Sequence, residues 1–248
     1  MLPLLLACTA ADPDPRPDVV LIIIDTLRAD RLGAYGAERD TSPAIDALAA
    51  SGVRFDDAYS AASWTIPSVT SILTGRYPSQ HGVTTAKKKL SASLETLPEV
   101  LQARGYQTGA VFSHTLIGAS RGFDAGYDRF VEELGEGDTV NGRISSQAVT
   151  DAALDLLSDF SRSEPYFLLV HYFDPHYDYN DHEAWVFAAP SAGRLDGDEG
   201  IWTLREMAPP LSAAEVGFLR DRYDEEIRFT DHHIGRLLAA LDPDRTVV

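Results

Sequence analysis

Two continuous apolar runs predict the buried strands of this chain. Val19 to Ile24 consists of β-branched and aliphatic residues and ends at Asp25, and a second run covers residues 165 to 173. Such runs, without alternating polar residues, are typical of parallel strands that are buried on both faces of a sheet. Ligands of open α/β sheets bind outside the carboxyl ends of the strands. Asp25 is therefore placed where a metal ligand could reach a site.

Apolar residues at helical spacing alternate with these runs, and the pattern predicts an α/β fold. Helices are predicted over residues 43–50, 94–103, 146–160 and 212–241, the last with Ser212 and Glu215 as a capping box. Shorter strands are predicted over 53–59, from 105 to about 113, and at 246–248, and residues 180–210 are predicted to form a long loop that shapes a substrate pocket. The expected architecture is a mostly parallel sheet sandwiched between helices, incomplete at the C-terminus.

The segment Ser63 to Arg76, SWTIPSVTSILTGR, contains a candidate nucleophile at the start of a helix. Pro67 fits a first helical turn, because the amide that it lacks has no partner there. Val69, Ile72 and Leu73 follow at core-facing spacing. Thr65 is then at the helix N-terminus, where free amides and the helix dipole stabilise an alkoxide or a bound phosphoryl group. A threonine that only caps an ordinary helix has the same pattern.

Composition and charge restrict the class of protein and of partner. The 248 residues are 44% hydrophobic and 24% charged, as in a soluble protein with one large domain. The formal net charge of −17 argues against nucleic acid or an anionic membrane surface as a partner, since both require clustered cations. An anionic substrate would need a metal ion and a helix terminus to attract it locally.

The N-terminal segment suggests export. Cys8 is the single cysteine, so no intramolecular disulfide can form. It ends a short apolar stretch, and residues 5–8, Leu-Leu-Ala-Cys, resemble a bacterial lipobox, in which the cysteine is lipidated. The stretch is too short to span a bilayer, and an uninformative apolar N-terminus is the alternative. Residues 1–18 are predicted to be a signal or lipobox-like segment and a Pro- and Asp-rich tether, and 19–248 a catalytic domain.

The nucleophile segment resembles the signature of the sulfatase family, within the alkaline phosphatase superfamily. Thr65-x-Pro67-Ser68 and residues 73–76, Leu-Thr-Gly-Arg, match the family spacing without a gap. Two positions depart from it, because Thr65 replaces the Cys or Ser that becomes formylglycine, and Val69 replaces an Arg. The resemblance implies Thr65 as nucleophile and moves the chemistry toward phosphorus without excluding sulfur.

The same resemblance implies the other site residues. Asp25 would bind one divalent metal ion (Ca, Mn or Mg) together with Thr65, and Thr26 stands where many members have a second Asp. His176, in Asp174-Pro175-His176, would contact the ester anion or the leaving group. His114 lies one position from a family histidine, which makes it a substrate-binding candidate, and the lysine of that motif is missing. His81 and His171 are interpreted as structural.

The sequence therefore predicts a metal-dependent hydrolase of sulfate or phosphate esters, periplasmic or anchored to a membrane through Cys8. Its substrate would be an anionic small molecule or a glycan or lipid ester. Two alternatives stay open: a phosphodiesterase or phosphoalcohol transferase of the same superfamily, and a non-catalytic anchored domain that retained the fold. The family's later metal ligands lie beyond the strand predicted at 246–248, so the chain is expected to be the N-terminal part of the catalytic domain.

Overall fold

The computed structural model describes residues 16–132, 146–176, 179–180, 182–197 and 199–248. The predicted lipobox with Cys8 and residues 9–15 of the predicted tether lie outside these residues. Among the described residues, no helix has a stretch long and apolar enough to cross a membrane.

In the part of the chain that the structure describes, five parallel strands form one sheet in the order β3-β2-β4-β1-β5. Their bounds are β1 Asp18–Ile24, β2 Gln107–Phe112, β3 Arg129–Glu132, β4 Tyr166–Tyr172 and β5 Thr246–Val247. Three of the predicted strands are confirmed as β1, β2 and β4, and the strand predicted at the C-terminus pairs with β1 as β5. The α/β fold class is therefore confirmed, and β1 lies between β4 and β5.

Within the described ranges, seven α-helices connect and cover the strands. Their bounds are α1 Pro43–Ser51, α2 Thr65–Thr74, α3 Pro78–His81, α4 Leu97–Gln102, α5 Ser146–Asp159, α6 Ile201–Glu206 and α7 Ala213–Ala240. Short 3-10 turns cover Ala29–Arg31, Gly33–Tyr35, Thr115–Ile117 and Ala119–Arg121. The predicted capping box is confirmed, since the Ser212 side chain accepts from the Glu215 amide while the Glu215 carboxylate accepts from the Ser212 amide.

The hydrophobic core lies on both faces of the sheet. On one face, residues of α5 and α7 such as Val149 and Leu237 pack against Leu168 and Val170 of β4. The opposite face is covered by α2, and its buried cluster contains Ile66, Val69, Leu73, Phe112 and Phe167. Because helices exclude water from both faces, β4 contains no polar residue except His171 between its two tyrosines.

Two predictions about irregular segments were wrong. Residues 53–59 form no strand, and Val53, Phe55 and Tyr59 are 82%, 69% and 88% exposed, so this apolar pattern finds no neighbouring strand with which to pair. Within the predicted loop 180–210, residues 201–206 form α6. The predicted helix at 94–103 is shorter than expected, because the Thr96–Glu99 capping box starts it at Leu97.

Helix α7 fixes the position of α1. The Asp231 carboxylate, which is completely buried, accepts hydrogen bonds from the backbone amides of Ala44 (3.0 Å) and Ile45 (2.8 Å). These amides are in the first turn of α1, where no partner exists within the helix. Asp231 thus caps α1 from a neighbouring helix and holds it against α7.

Candidate active site

Thr65 is the first residue of α2, as the sequence predicted. Trp64 before it is extended, and Ile66 after it is fully buried, which fixes the direction in which the helix leaves the site. The Thr65 Oγ1 donates a hydrogen bond to Oδ2 of Asp25 at 2.9 Å. The predicted nucleophile and the predicted metal ligand are therefore in direct contact, although 40 residues separate them in the chain.

Asp25 follows the last residue of β1, and its amide donates to the Tyr172 carbonyl at 2.9 Å. Burial of the carboxyl opposes its ionisation. The nearby His171 imidazole and the Thr65 hydroxyl outweigh this cost, so the pKa of Asp25 lies below its ordinary value. The Asp25 carboxyl is therefore anionic at neutral pH.

His171 also belongs to this site, and the sequence interpretation missed it. It is fully buried in β4, and its Nε2 lies 3.6 Å from Asp25 Oδ2. His171 pairs with Ile23 in the sheet register, and both side chains share a face with Asp25 because strand residues alternate. A polar residue near the carboxyl end of an otherwise apolar buried strand was the available signal.

The other nitrogen of His171 lies 3.1 Å from the Ser113 hydroxyl, which donates to the His171 carbonyl at 2.6 Å. Nε2 has no hydrogen-bond partner within the described part of the chain. A completely buried polar atom without a hydrogen bond is costly. This Nε2, which lies 3.6 Å from Asp25 Oδ2, can therefore accept or donate a contact to a ligand bound beside Asp25.

His176 and His114 lie at the same end of the sheet. The His176 ring stacks on Phe173 with centroids 4.4 Å apart, and the His114 ring lies 5.0 Å from Phe173 on a tilted plane. Both histidines interact electrostatically with Asp25. The structure thus brings together all four of the residues that the sequence assigned to the site.

His114 is electrically neutral at physiological pH. Burial lowers its pKa to about 4, and its Nδ1 accepts a hydrogen bond from the Leu116 amide at 3.0 Å. Since Nδ1 is the acceptor, the proton of the neutral ring is on Nε2. His114 therefore offers an N–H donor rather than a cation.

Val69 and His81 have structural roles. Val69 stands at the position of the family arginine, and it is 3% exposed and packs into the core beneath α2, so it cannot contact an anion. His81 accepts from the Val83 amide at 3.0 Å and lies 3.1 Å from the Ser71 hydroxyl. Both ring nitrogens of His81 are occupied within the fold, in agreement with the sequence interpretation.

The loop after β1 has an unusual backbone conformation. Thr26, where many family members have a second Asp, has a positive φ of 53°, which is rare for a β-branched residue. The Tyr223 hydroxyl of α7 donates to the Thr26 carbonyl at 2.8 Å and accepts from the Arg28 amide at 2.9 Å. Tyr223 therefore holds the strained turn that presents Asp25.

The donors present fit a hard divalent cation. Among the described residues there is no group of three or more His, Cys, Asp or Glu side chains arranged around one metal position. Asp25 Oδ2 and Thr65 Oγ1 nevertheless offer two oxygens that lie 2.9 Å apart. The Nε2 of His171, which has no hydrogen bond within the described residues, faces the same Oδ2 of Asp25. The carboxylate and hydroxyl oxygens suit Ca²⁺, Mg²⁺ and Mn²⁺, and the imidazole nitrogen also suits a transition metal such as Zn²⁺.

A cavity of about 980 Å³ has Thr26, the residue after Asp25, and His176 in its wall, whereas Asp25 and Thr65 do not line it. Its other walls come from the loop after β1, from α6 and from α7. A ligand in the cavity would therefore reach the carboxyl end of β1 and β4.

Three solved structures show the same fold. A complex with D-glucosamine-2-N,6-O-disulfate as substrate aligns with a TM-score of 0.70 and 18% identity over 93% of this chain and 64% of that chain. The phosphonate monoester hydrolase of Agrobacterium radiobacter aligns with a TM-score of 0.71 and 19% identity, over 93% of this chain and 61% of that chain. The C-terminal periplasmic domain of EcEptC from Escherichia coli, solved with Zn, aligns with a TM-score of 0.63 and 19% identity, over 91% of this chain and 59% of that chain.

Curated proteins match at higher identity over shorter segments. N-acetylglucosamine-6-O-sulfatase of Bacteroides thetaiotaomicron is 28% identical over 173 residues, which are 65% of this chain and 31% of that protein. Human arylsulfatase A is 39% identical over 139 residues, 52% of this chain and 27% of that protein. The matched segments thus span about a third or less of these relatives. The Sulfatase family model matches residues 17–248, and the chain belongs to the sulfatase family.

Proposed function

We propose that this chain contains the nucleophile half of a metal-dependent hydrolase of sulfate or phosphate esters, with Thr65 as nucleophile. The contact that supports the proposal most directly is the 2.9 Å hydrogen bond from Thr65 Oγ1 to Asp25 Oδ2 at the start of α2. A hydroxyl at a helix N-terminus, bonded to an ionised carboxylate, is oriented for attack on an ester. An ordinary capping threonine would instead bond the backbone of its own helix.

The proposed reaction begins with attack of Thr65 Oγ1 on the phosphorus or sulfur of the ester. The Thr65 hydroxyl gives its proton to Asp25 Oδ2, to which it is hydrogen-bonded. A bond forms between Oγ1 and the phosphorus or sulfur while the bond from that atom to the alcohol oxygen breaks. The positive end of the α2 dipole stabilises the charge that develops near Oγ1. A divalent cation held by Asp25 and Thr65 would lower the pKa of the Thr65 hydroxyl and polarise the ester.

His176 and His114 would act on the substrate's oxygens. We propose that His176 protonates the departing alcohol oxygen or holds the ester. The neutral His114 would donate its Nε2 hydrogen to a non-bridging oxygen. Water then attacks the covalent threonine ester and regenerates the hydroxyl, or an acceptor alcohol does so in a phosphoalcohol transferase.

Two observations favour a phosphate ester over a sulfate ester as the substrate. A threonine is not the residue from which formylglycine is made, and Val69 is buried where the family arginine would meet the sulfate. Sulfate esters stay within the proposal, because the curated relatives are sulfatases.

A solved neighbour binds a sulfated glucosamine, so an anionic glycan ester is the proposed substrate class. Export, with lipidation at Cys8, is proposed from the N-terminal sequence.

The decisive experiment compares Thr65→Ala and Thr65→Ser with the parent protein on 4-nitrophenyl phosphate, bis(4-nitrophenyl) phosphate and 4-nitrophenyl sulfate in the presence of Mn²⁺, Mg²⁺ or Ca²⁺. Thr65→Ala should abolish turnover, whereas Thr65→Ser should retain a hydroxyl and part of the activity. Thr74→Ala is the matched control, because its hydroxyl bonds the Thr70 carbonyl at the other end of α2. Normal turnover in Thr65→Ala would refute the proposal, and absence of both turnover and metal binding in the parent would favour the non-catalytic alternative.

A further inference from the structure

The 980 Å³ cavity is larger than the reacting ester requires. Ligand pockets of roughly 300–1,000 Å³ enclose most of a drug-sized molecule, and one sulfate or phosphate group fills only a small part of such a volume. Thr26 and His176 connect the cavity to the proposed site, while α6 and α7 form its distant wall. The remainder of the substrate therefore has a defined place to bind.

The walls of the cavity are positively charged in a strongly acidic protein. Among the described residues, four arginines line it and Asp30 is the one acidic residue of the lining; the arginines are Arg28, Arg31, Arg205 and Arg220. The whole chain has a formal net charge of −17, with 21 basic residues against 38 acidic ones. Because the overall field repels anions, a local excess of arginine is notable at the point where an anionic substrate would enter.

Two of these arginines are already neutralised. Arg28 binds both oxygens of Asp30 at 2.8 and 2.6 Å, and Arg31 binds the buried carboxylate of Asp224. Arg205 and Arg220, in contrast, form no ion pair within the described ranges of the chain, and both are exposed. These two guanidinium groups remain available for an anion, and guanidinium binds sulfate, phosphate and carboxylate groups through paired N–H donors.

An exposed indole lies beside one of them. Trp202 is 69% exposed, and the Arg205 guanidinium is 5.2 Å from the centroid of its ring. The two residues are three positions apart in α6, so they lie on neighbouring positions of one helix face. An exposed aromatic face next to a cation offers one surface for the apolar face of a sugar ring and another for an anionic substituent.

We infer that this cavity binds a second anionic group of a polyanionic glycan, a sulfate or carboxylate on a sugar other than the one that carries the reacting ester. Arg205 and Arg220 bind the second anion, and Trp202 packs against the sugar. The inference rests on the proposed function, because it places the reacting ester at Thr65. It narrows the substrate class from anionic esters in general to glycans with several negative charges.

Calorimetric titration of the Thr65→Ala protein with two defined probes tests the inference. One probe is chitotetraose with a single 6-O-sulfate at its nonreducing end, and the other is chitotetraose sulfated at every 6-O position. The titrations are repeated in the double variant Arg205→Gln/Arg220→Gln. The double variant Arg104→Gln/Arg162→Gln is the matched control, since it removes two exposed arginines that precede β2 and β4, at the opposite end of the sheet.

The polysulfated probe should bind at least about tenfold more tightly than the monosulfated one, as expected for one or two charge-assisted contacts. Arg205→Gln/Arg220→Gln should remove this difference, and the control pair should preserve it. Equal affinities in the parent, binding of neither probe, or an equal loss in both double variants would each overturn the inference. Turnover of the 4-nitrophenyl phosphate and sulfate esters by the Thr65 protein is assayed separately. Discrimination between the two probes without turnover of any of these esters would refute the proposed function and leave this binding site standing.

Discussion

Asp25 Oδ2 lies 2.9 Å from Thr65 Oγ1 and 3.6 Å from His171 Nε2, so one carboxylate oxygen joins the start of α2 to the end of β4. The three residues come from separate segments, and the parallel sheet aligns the carboxyl ends of β1 and β4. The site is therefore built by the sheet topology rather than by a local motif.

Removal of the Asp25 charge should abolish metal binding. Asp25→Asn keeps the size of the side chain and its contact with Thr65, but a neutral amide is a much weaker ligand for a divalent cation. Mutation of residues that only orient a metal ligand lowers metal affinity by about 10- to 100-fold. We therefore expect the loss of a ligand itself to lower Mn²⁺ affinity by at least about 100-fold. Mn²⁺ electron paramagnetic resonance measures the free ion directly. Asp40→Asn removes the same charge from an exposed position and should bind Mn²⁺ as the parent does; an unchanged affinity in Asp25→Asn would exclude Asp25 as a ligand.

His171 is expected to position Asp25 for the metal. His171→Asn shortens the side chain and withdraws the nitrogen from Asp25, so Mn²⁺ affinity should fall about tenfold, as for other residues that orient metal ligands. His81→Asn is the control, because it removes a buried, hydrogen-bonded imidazole that does not face Asp25. Thermal unfolding separates stability from metal affinity. If both variants lose stability and neither loses Mn²⁺ affinity, His171 has only a structural role.

Tyr223 should stabilise the strained turn after β1. Tyr223→Phe removes the hydroxyl that joins the Thr26 carbonyl to the Arg28 amide, and each lost hydrogen bond costs about 1 kcal/mol. We expect the free energy of unfolding to fall by about 1–2 kcal/mol, because two partly buried hydrogen bonds are lost. Chemical denaturation measures this change. Tyr179→Phe removes the hydroxyl of the neighbouring ring, 6.0 Å away, and should have a smaller effect; equal effects would contradict the assigned role of Tyr223.

The sequence predicted the strands that are buried on both faces and the nucleophile helix because local patterns determine them. Continuous apolar runs predicted β1 and β4, and the threonine before Pro67 predicted the start of α2. The strand predicted at residues 53–59 was wrong, since a strand needs a neighbour and the sheet has none for that segment. Helix α6 was missed because six residues carry too little periodicity to distinguish a helix from a loop.

The parts of the site that depend on register could not be predicted in the same way. His171 resembled a histidine accommodated in a core strand until its pairing with Ile23 placed it beside Asp25. The arginines of the cavity are even less local, since they come from the loop after β1, from α6 and from α7. Only the packing of α7 against the sheet determines which of these side chains share a wall.

Asp174 should make the stability of the protein decrease as pH rises. Burial, together with the charge of Glu226, raises the pKa of Asp174 from 3.8 to about 7, although its Oδ2 accepts hydrogen bonds from the amide and the hydroxyl of Ser146. A carboxyl whose pKa is higher in the folded state binds its proton more tightly there than in the unfolded chain. Its contribution is therefore fully present below pH 3.8 and is lost as pH rises to about 7.

Asp174→Asn isolates this contribution, because an uncharged amide still accepts from Ser146 and does not titrate. The parent should lose stability relative to Asp174→Asn between pH 4 and 7, and the difference should be constant at higher pH. Asp155→Asn, an exposed change on α5, should follow the pH profile of the parent. Denaturant titrations across this range provide the free energies of unfolding. Parallel profiles for the parent and Asp174→Asn would show that Asp174 ionises in the folded protein as easily as in the unfolded chain, and that its buried position imposes no cost.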